Sequence, residues 1–573
     1  MRTWVHRFPE RREQELEEFR ERGLAFAVDE QALDRDARLL LRGAVRWREA
    51  DVALLVAYPD AFPYLPPQVH APDLRLGRHQ HPYDGNLCLL DDSPGAWGPE
   101  QTGAWLVAER VPYLLELTEQ GGEALRRGEA PQGEPLSMFF HRQLGSAVLV
   151  PSAALDIDPD VAGGSGRIAC SSAEPPRLVV RGLVSEVVAK TASRKTKVVA
   201  RADAGLLRRF GGGQIPFRWV RLAEPPAGDS AAELLAAAEA VRPGSATPPW
   251  HTVAGGQIAV CGVVFPEEVT QGQFEDGWLF AVKVRCPNGE KAAPYIAHTD
   301  RLTPRDMGAR IPRLSGLADK HVAVVGLGAI GSELALELAR AQIGELRLLD
   351  FDSVEAGTVI RWPTGLTAVG HSKVQAVGGR IEAEYPFTDV IGFQRQLGAT
   401  ALEPRRGETD LDLLDRLLDG IDLLVDASAN LNVQQLLAAM ADERGVPQLY
   451  VSATEGARGG IVAPVVPGRT GCWMCLQWHL QTGSVQMPPR DIDGTVEPRG
   501  CGSRTFAGAR FDLLPVVAQA ARSAVSVLRG GSREHVDVCS LPDPDLGIAP
   551  VWSSRPLTTH PNCPYCGAAA AAA

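Results

Sequence analysis

The run Gly326-Leu327-Gly328-Ala329-Ile330-Gly331 stands between an apolar stretch at 321–325 and a helical one at 334–341, and a second apolar stretch at 346–350 ends on Asp350. Strand, glycine turn, helix, strand is a demanding order, because parallel strands need a crossover connection and a sheet with both faces covered. The glycines let the backbone approach a phosphate or ribose closely, and the start of the helix favours anions. Asp350, placed after the turn at the end of the next strand, completes a nucleotide fingerprint that suits ATP and NAD equally. Apolar runs at 423–425 and 448–451 predict further buried strands, so residues 311–545 are expected to form a doubly wound α/β domain.

The chain has 573 residues, enough for several domains with separate cores. A formal charge of −12 gives no general electrostatic reason to bind nucleic acid, so protein or small-molecule partners are expected. Residues 11–22 are dense in Glu and Arg and lack a signal-peptide core, and no run is read as long enough to span a bilayer. A cytoplasmic protein with no membrane partner is the expectation. Ten cysteines then read as metal ligands, nucleophiles or buried small apolar side chains rather than as a disulfide framework.

Residues 1–145 begin with a charged helix, continue as short strands at 23–28, 44–47 and 51–58, cross a Pro-rich loop at 58–69 and regain helical spacing at 105–117, which predicts an α+β domain. Residues 146–310 carry Val-rich runs at 178–184, 197–199 and 278–284, with an Ala-rich helix at 231–241, and read as a β-rich connecting domain without a catalytic signature. Cys170, Cys261 and Cys286 there are assigned to packing. Residues 546–573 form a C-terminal tail that ends in a low-complexity Ala run.

Spacing sorts the informative cysteines. Cys472-Trp473-Met474-Cys475 and Cys563-Pro564-Tyr565-Cys566 are two C-x-x-C pairs, and four thiolates complete a tetrahedral structural zinc site that would fasten the tail to the α/β domain. A redox role for one pair is the competing reading. Cys501 lies in a Gly-rich run between Arg499 and Arg504, ahead of an apolar helix at 511–528; those surroundings lower a thiol pKa and suit a nucleophile. Cys539 has no such setting.

Residues 311–566 resemble the ThiF-like adenylating enzymes, the family that includes ubiquitin-activating enzymes, with a Rossmann-like domain. The resemblance rests on Asp350-Phe351-Asp352-Ser353-Val354, Thr358-Val359-Ile360-Arg361 and Gly370-His371-Ser372-Lys373, together with the paired C-x-x-C motifs. It implies ATP as the nucleotide, held by Gly326, Gly328, Gly331, Asp350 and Asp352, with Arg361 and Lys373 on the triphosphate. Fixed cations are what attack of a carboxylate on a phosphate requires. By position Cys501 resembles the activating enzymes' cysteine. Two departures stand out: Thr358 occupies the family's Asn position, and Ala429 replaces the Asp that would hold Mg2+. Either Asp426 takes over, or magnesium is held mainly by phosphates and water.

The N-terminal region resembles ubiquitin-conjugating enzymes. Tyr58-Pro59, Pro66-Pro67, His81-Pro82, Gly85-Asn86-Leu87-Cys88-Leu89 and Trp97-Gly98-Pro99 follow in that family's order, which implies that Cys88 accepts a thioester. Tyr83 and Asp84 stand where the family has Asn after His-Pro, so the oxyanion donor falls to the Tyr83 hydroxyl, the Asn86 amide or a backbone N–H. His81 reads as a structural hydrogen-bonding residue.

The order of conjugating-like domain, connecting domain and adenylation domain resembles the fused enzyme of bacterial CBASS antiphage operons and related bacterial ubiquitin-like systems. That resemblance implies activation of a partner's C-terminus with ATP, thioesters on Cys501 and then Cys88, and ligation to a target protein. The partner would be a ubiquitin-like protein or a CBASS nucleotide cyclase with a C-terminal Gly, and the enzyme a homodimer. The alternative is a sulfur-carrier adenylyltransferase whose N-terminal domain only docks a partner; a third reading is a scaffold that has lost magnesium chemistry at Ala429.

Overall fold

The computed structural model describes residues 3–566, apart from 77, 92, 120–132, 175–177, 191–195, 209, 211–212, 254, 271, 287, 400–406, 498–504, 532–533 and 543–547. Two compact units emerge, Met1–Leu302 and Thr303–Ala573.

The first unit opens with the short helix Trp4–Arg7 and the helix Pro9–Glu21, whose proline sits at the first position, where a missing N–H costs nothing. Strands Phe26–Val28, Leu40–Trp47, Ala50–Ala57 and Gln68–His70 follow as an antiparallel meander. Alternation along these strands turns Leu41, Leu54, Val56 and Val69 onto a core with Trp4, Phe19, Phe62, Leu106 and Val107. One carboxylate is buried beneath it. Glu15 Oε2 accepts from the Tyr58 hydroxyl at 2.7 Å and the Gly103 amide at 2.8 Å, while Oε1 has only the ion pair with Arg11 at 3.0 Å and no hydrogen bond among the described residues.

Among the described residues the rest of this unit is built on a 10-stranded, mostly antiparallel sheet. Strands Tyr295–Ala297 and Thr299–Leu302 are separated by one residue, yet stand at opposite ends of the pairing order. The sheet therefore curls round until one segment joins its two ends, while Thr196–Arg201 and His251–Val253 hang off the path with one partner each. Phe217, Trp219, Trp278 and Phe280 fill it, and the Trp278 indole N–H is satisfied by the Ala154 carbonyl at 2.8 Å. The helix Ala231–Val241 forms where its Ala-rich composition predicts, started by a reciprocal Ser230 and Glu233 cap. Cys261 is fully buried within the strand Gly256–Thr270.

Among the described residues the second unit is built on an eight-stranded sheet. Strands Asp389–Gln394, Glu345–Asp350, His321–Val325, Leu423–Asp426 and Gln448–Ala453 run parallel in that spatial order, and Gly459–Val465, His535–Ser540 and Val551–Pro556 continue it antiparallel. The chain first builds outward from His321–Val325 to one side and then to the other. A crevice is therefore created where the order reverses, between the C-terminal ends of His321–Val325 and Leu423–Asp426. The segment 546–573, read from sequence as a tail, contributes the strand Val551–Pro556 at the sheet's edge.

One sequence expectation is corrected here. Among the described residues the helix Arg510–Leu528 is long and apolar enough to cross a membrane by length and composition. Its apolar side has another use: Leu513, Val516, Val517, Ala520, Ala524 and Leu528 are buried in the same core as Leu334, Leu338 and Val462.

Candidate nucleotide site and cysteine centres

The glycine turn lies at the reversal point of the second sheet. Gly326 has φ +87°, and a Cβ there would lie 2.7 Å from the Ala427 carbonyl oxygen; one at Gly331 would lie 1.9 Å from the Gly326 carbonyl oxygen. Both must be glycine for the turn to fold tightly against the neighbouring strand and start the helix Gly331–Arg340. At Gly328 nothing lies within 4 Å of an added Cβ, so only an external group would need its bareness.

Asp350, at the end of Glu345–Asp350, is nearly buried. Its Oδ2 accepts from the Leu327 amide at 2.6 Å and its Oδ1 from the Asp352 amide at 2.8 Å, which locks the turn to the strand end. Asp352 in turn accepts from Lys373 Nζ at 2.8 Å, and the Lys373 amide donates to the Asp352 carbonyl at 2.9 Å. Lys373 opens the helix Lys373–Glu384 behind a Ser372 cap. Arg361 ends the short turn Val359–Arg361, and the indole of the next residue, Trp362, donates to the Leu327 carbonyl at 2.9 Å. Gly326, Gly331, Asp350, Asp352 and Lys373 thus belong to one connected network at the C-terminal edge of the sheet, which Arg361 adjoins through its chain neighbour Trp362.

Asp426 ends the strand Leu423–Asp426 and is fully buried. Its Oδ1 accepts from the Ser428 amide at 2.9 Å, while Oδ2 has no hydrogen-bond partner among the described residues. Burial pushes its carboxyl up to about 6 against the pull of Ser428. A carboxylate sealed in this way braces the turn to Ala429, which holds φ +53°, and offers no open face to a solvated Mg2+. Ala429 brings no ligand atom, so the described residues here do not fit a magnesium cage.

Four cysteines do converge. The sulfurs of Cys472, Cys475, Cys563 and Cys566 all lie within 4.8 Å of one another. Cys472 is 3.8 Å from Cys475 and 3.6 Å from Cys563, close to the ~3.8 Å edge of a tetrahedron with zinc–sulfur bonds of ~2.3 Å. The amides of His560 and Cys566 donate to Cys475 and Cys563, at 3.3 and 3.4 Å, as suits thiolate ligands. The cluster fits zinc and has drawn residues from nearly a hundred positions apart to one point.

In the first unit Cys88 is exposed at the end of a hairpin-like loop, its amide donating to the His79 carbonyl at 2.8 Å. Burial of its surroundings, and then the Glu134 carboxylate, raise its thiol pKa. His81 Nδ1 faces Asp84 at 3.0 Å and receives the Asp84 amide at 3.2 Å, consistent with a loop-holding histidine. The Tyr83 hydroxyl donates to the Pro226 carbonyl at 3.3 Å, and its ring packs edge-on against Phe140. Tyr83 is therefore already engaged. Asn86 Oδ1 is buried without a partner among the described residues. Cys501 lies outside the described residues.

Sequence reasoning missed Glu134 beside Cys88, Trp362 beneath the glycine turn, and the ion pair of buried Glu333 with Arg510 at 2.5 Å. None of these carries a motif; each is joined to its partner by the fold alone.

A glycine turn clamped by an aspartate at the reversal of a doubly wound sheet defines a nucleotide-site architecture, and residues 306–526 match the model of the ThiF family. The chain belongs to the same family as the uncharacterized protein y4oA of Sinorhizobium fredii, to which it is 32% identical over 94% of its own length and 93% of that protein's. The y4qC protein of the same organism is 30% identical over 94% of each chain. Ubiquitin-like modifier-activating enzyme 5 of Drosophila erecta is 29% identical over 28% of this chain and 40% of its own. Among solved structures, the microcin C7 biosynthetic enzyme MccB in complex with N-formylated MccA has 18% identity and a TM-score of 0.35, covering 46% of this chain and 72% of that one.

Proposed function

We propose that the protein uses ATP to activate the C-terminus of a partner protein and passes the acyl group through Cys501 and Cys88 to an amine on a target. The partner carboxylate attacks the α-phosphate and pyrophosphate leaves. The Cys501 thiolate then attacks the acyl-adenylate carbonyl and AMP leaves. Exchange with the Cys88 thiolate frees Cys501, and attack by the amine frees Cys88 with loss of a proton. Thioester exchange is nearly neutral in energy, so the phosphoanhydride supplies the drive.

The observation that carries the first step is the network at the strand ends. Asp350 fixes the bare turn that would receive phosphates and ribose, Lys373 brings a cation to the same edge, and Arg361, next to the Trp362 that underlies the turn, would supply the second. Magnesium, where bound, would offset charge on the phosphates, held by them and by water. The ThiF match and the likeness to an enzyme named for activating a ubiquitin-like modifier support ATP over NAD and a protein C-terminus as the acyl donor. The exposed thiol of Cys88, amid the conjugating-type motifs, supports the second thioester. Zinc on Cys472, Cys475, Cys563 and Cys566 would serve structure. Antiphage defence is the part of this reading that comes from the resemblance to the CBASS-type fused enzyme, a homodimer is carried over from the adenylating family, and a cytoplasmic site from the sequence expectation above.

The test is trapping. The full chain is incubated with Mg-ATP and soluble extract of its source organism, quenched without reductant, and its peptides containing positions 501 and 88 are examined by mass spectrometry. Reductant-labile, ATP-dependent adducts at both positions are expected, and Cys88→Ser should leave the adduct on Cys501. Continued turnover in that variant would favour the sulfur-carrier alternative. Absence of an adduct at either position contradicts the relay.

A further inference from the structure

We infer that Thr505 is a positioning residue for Arg361, and that the short ribbon containing it is thereby coupled to the nucleotide site. The inference rests on the nucleotide reading above and adds to it a residue outside every motif named there. Arg361 ends a turn of three residues, with no long helix to fix its side chain. Two of its nitrogens are nevertheless committed: Nη1 donates to the Phe506 carbonyl and Nη2 to Thr505 Oγ1 at 2.6 Å. The guanidinium carbon also lies 5.0 Å from the centre of the Phe506 ring, within range of a cation–π contact.

The charges of the two candidate phosphate-binding cations are handled differently. Lys373 is already paired with Asp352. Arg361 has no carboxylate partner among the described residues, and its half-burial lowers its pKa, since its surroundings replace water without supplying a counter-charge. A partly desolvated guanidinium, unneutralised and held at two of its five N–H groups among the described residues, has donors left there for an anion. The neutral partners fit this use: a carbonyl and a hydroxyl orient the fork, whereas a carboxylate there would cancel the charge the phosphate needs.

The holder is itself anchored. Thr505–Phe506 pairs antiparallel with Thr495–Val496. At the base of this ribbon the Gly494 carbonyl accepts from both the Ala507 amide at 2.8 Å and the Gly456 amide at 3.0 Å, which ties it to the turn following the strand Gln448–Ala453. In sequence the two strands of the ribbon flank the run that contains Cys501. If the ribbon orders Arg361 for the nucleotide, linkage requires the nucleotide to order the ribbon by the same factor.

The experiment uses the full chain with Mg2+ and a non-hydrolysable ATP analogue, comparing the wild type with Thr505→Val and Thr505→Ser. Binding is read by calorimetry, ribbon order by hydrogen exchange in peptides covering 495–496 and 505–506, and integrity by thermal unfolding. Thr505→Val should bind the analogue about tenfold more weakly, the scale of one hydrogen bond to a charged group, with an unchanged unfolding temperature. Thr505→Ser should restore affinity to within about twofold, because it keeps the hydroxyl. The analogue should slow exchange across the ribbon in the wild type and the Ser variant but not in the Val variant. Equal affinity and equal protection in wild type and Thr505→Val would overturn the inference while leaving the nucleotide reading intact. A wild type that binds no ATP analogue would overturn both.

Discussion

Replacing Asp426 by Asn separates the cost of burying this carboxyl from its use in bracing the turn. Burial moves the group from 3.8 to about 6, so the folded chain binds its proton more tightly than the unfolded chain does. The sign follows: stability is undiminished at pH values well below 3.8, falls as pH rises through the interval up to about 6, and stays lower above it. At ~1.4 kcal/mol per unit the full penalty is about 3 kcal/mol, of which about 2 kcal/mol develops between pH 4.5 and 7.5. Asn keeps an acceptor for the Ser428 amide but leaves an amide N–H where Oδ2 has no partner, at a cost of about 1–2 kcal/mol. Asp426→Asn should therefore be more stable than wild type by about 1–2 kcal/mol at pH 7.5 and should lose that advantage at pH 4.5. Urea unfolding of the full chain at both pH values measures this, with the relevant transition marked by hydrogen exchange in the peptide covering Leu423–Asp426. A difference between variant and wild type that is the same at both pH values would refute the reasoning.

Other expectations follow from the same geometry. Gly331→Ala places a Cβ against the Gly326 carbonyl and should abolish binding of an ATP analogue, with lowered thermal stability. Lys373→Ala should weaken the same binding by tenfold or more with little change in unfolding temperature, because its pairing with the half-exposed Asp352 stabilises the fold by only about 1 kcal/mol or less. Metal analysis should find one zinc per chain, and Cys563→Ala or a strong chelator should release it and lower the unfolding temperature. Glu134→Gln should lower the Cys88 thiol pKa and so speed its alkylation at pH 8, as measured by intact mass.

What the sequence made legible was what local pattern encodes. The glycine turn, Asp350 and the alternation of strand and helix announced the doubly wound sheet and the turn at its reversal point; the Ala-rich run at 231–241 formed its helix where expected; and the C-x-x-C spacing found a cluster whose halves lie far apart. The remainder depended on long-range contacts that carry no periodic signal. Phe506 meets Arg361 across 145 positions, and Tyr83 meets Pro226 across 143. The Arg510–Leu528 helix reads as membrane-competent by composition because it fills a sheet-covered core, and Asp426 is sealed because the strands on either side of it are packed over. Closure of the 10-stranded sheet could not be read from its Val-rich runs, since alternation gives faces but not neighbours.

The account stands most directly on which nucleotide the glycine turn accepts. Equilibrium titration of the full chain with Mg-ATP and, separately, with NAD should show one saturable ATP site per chain, little or no NAD binding, and loss of the ATP site in Asp350→Ala. Saturable NAD binding with no response to ATP would contradict it.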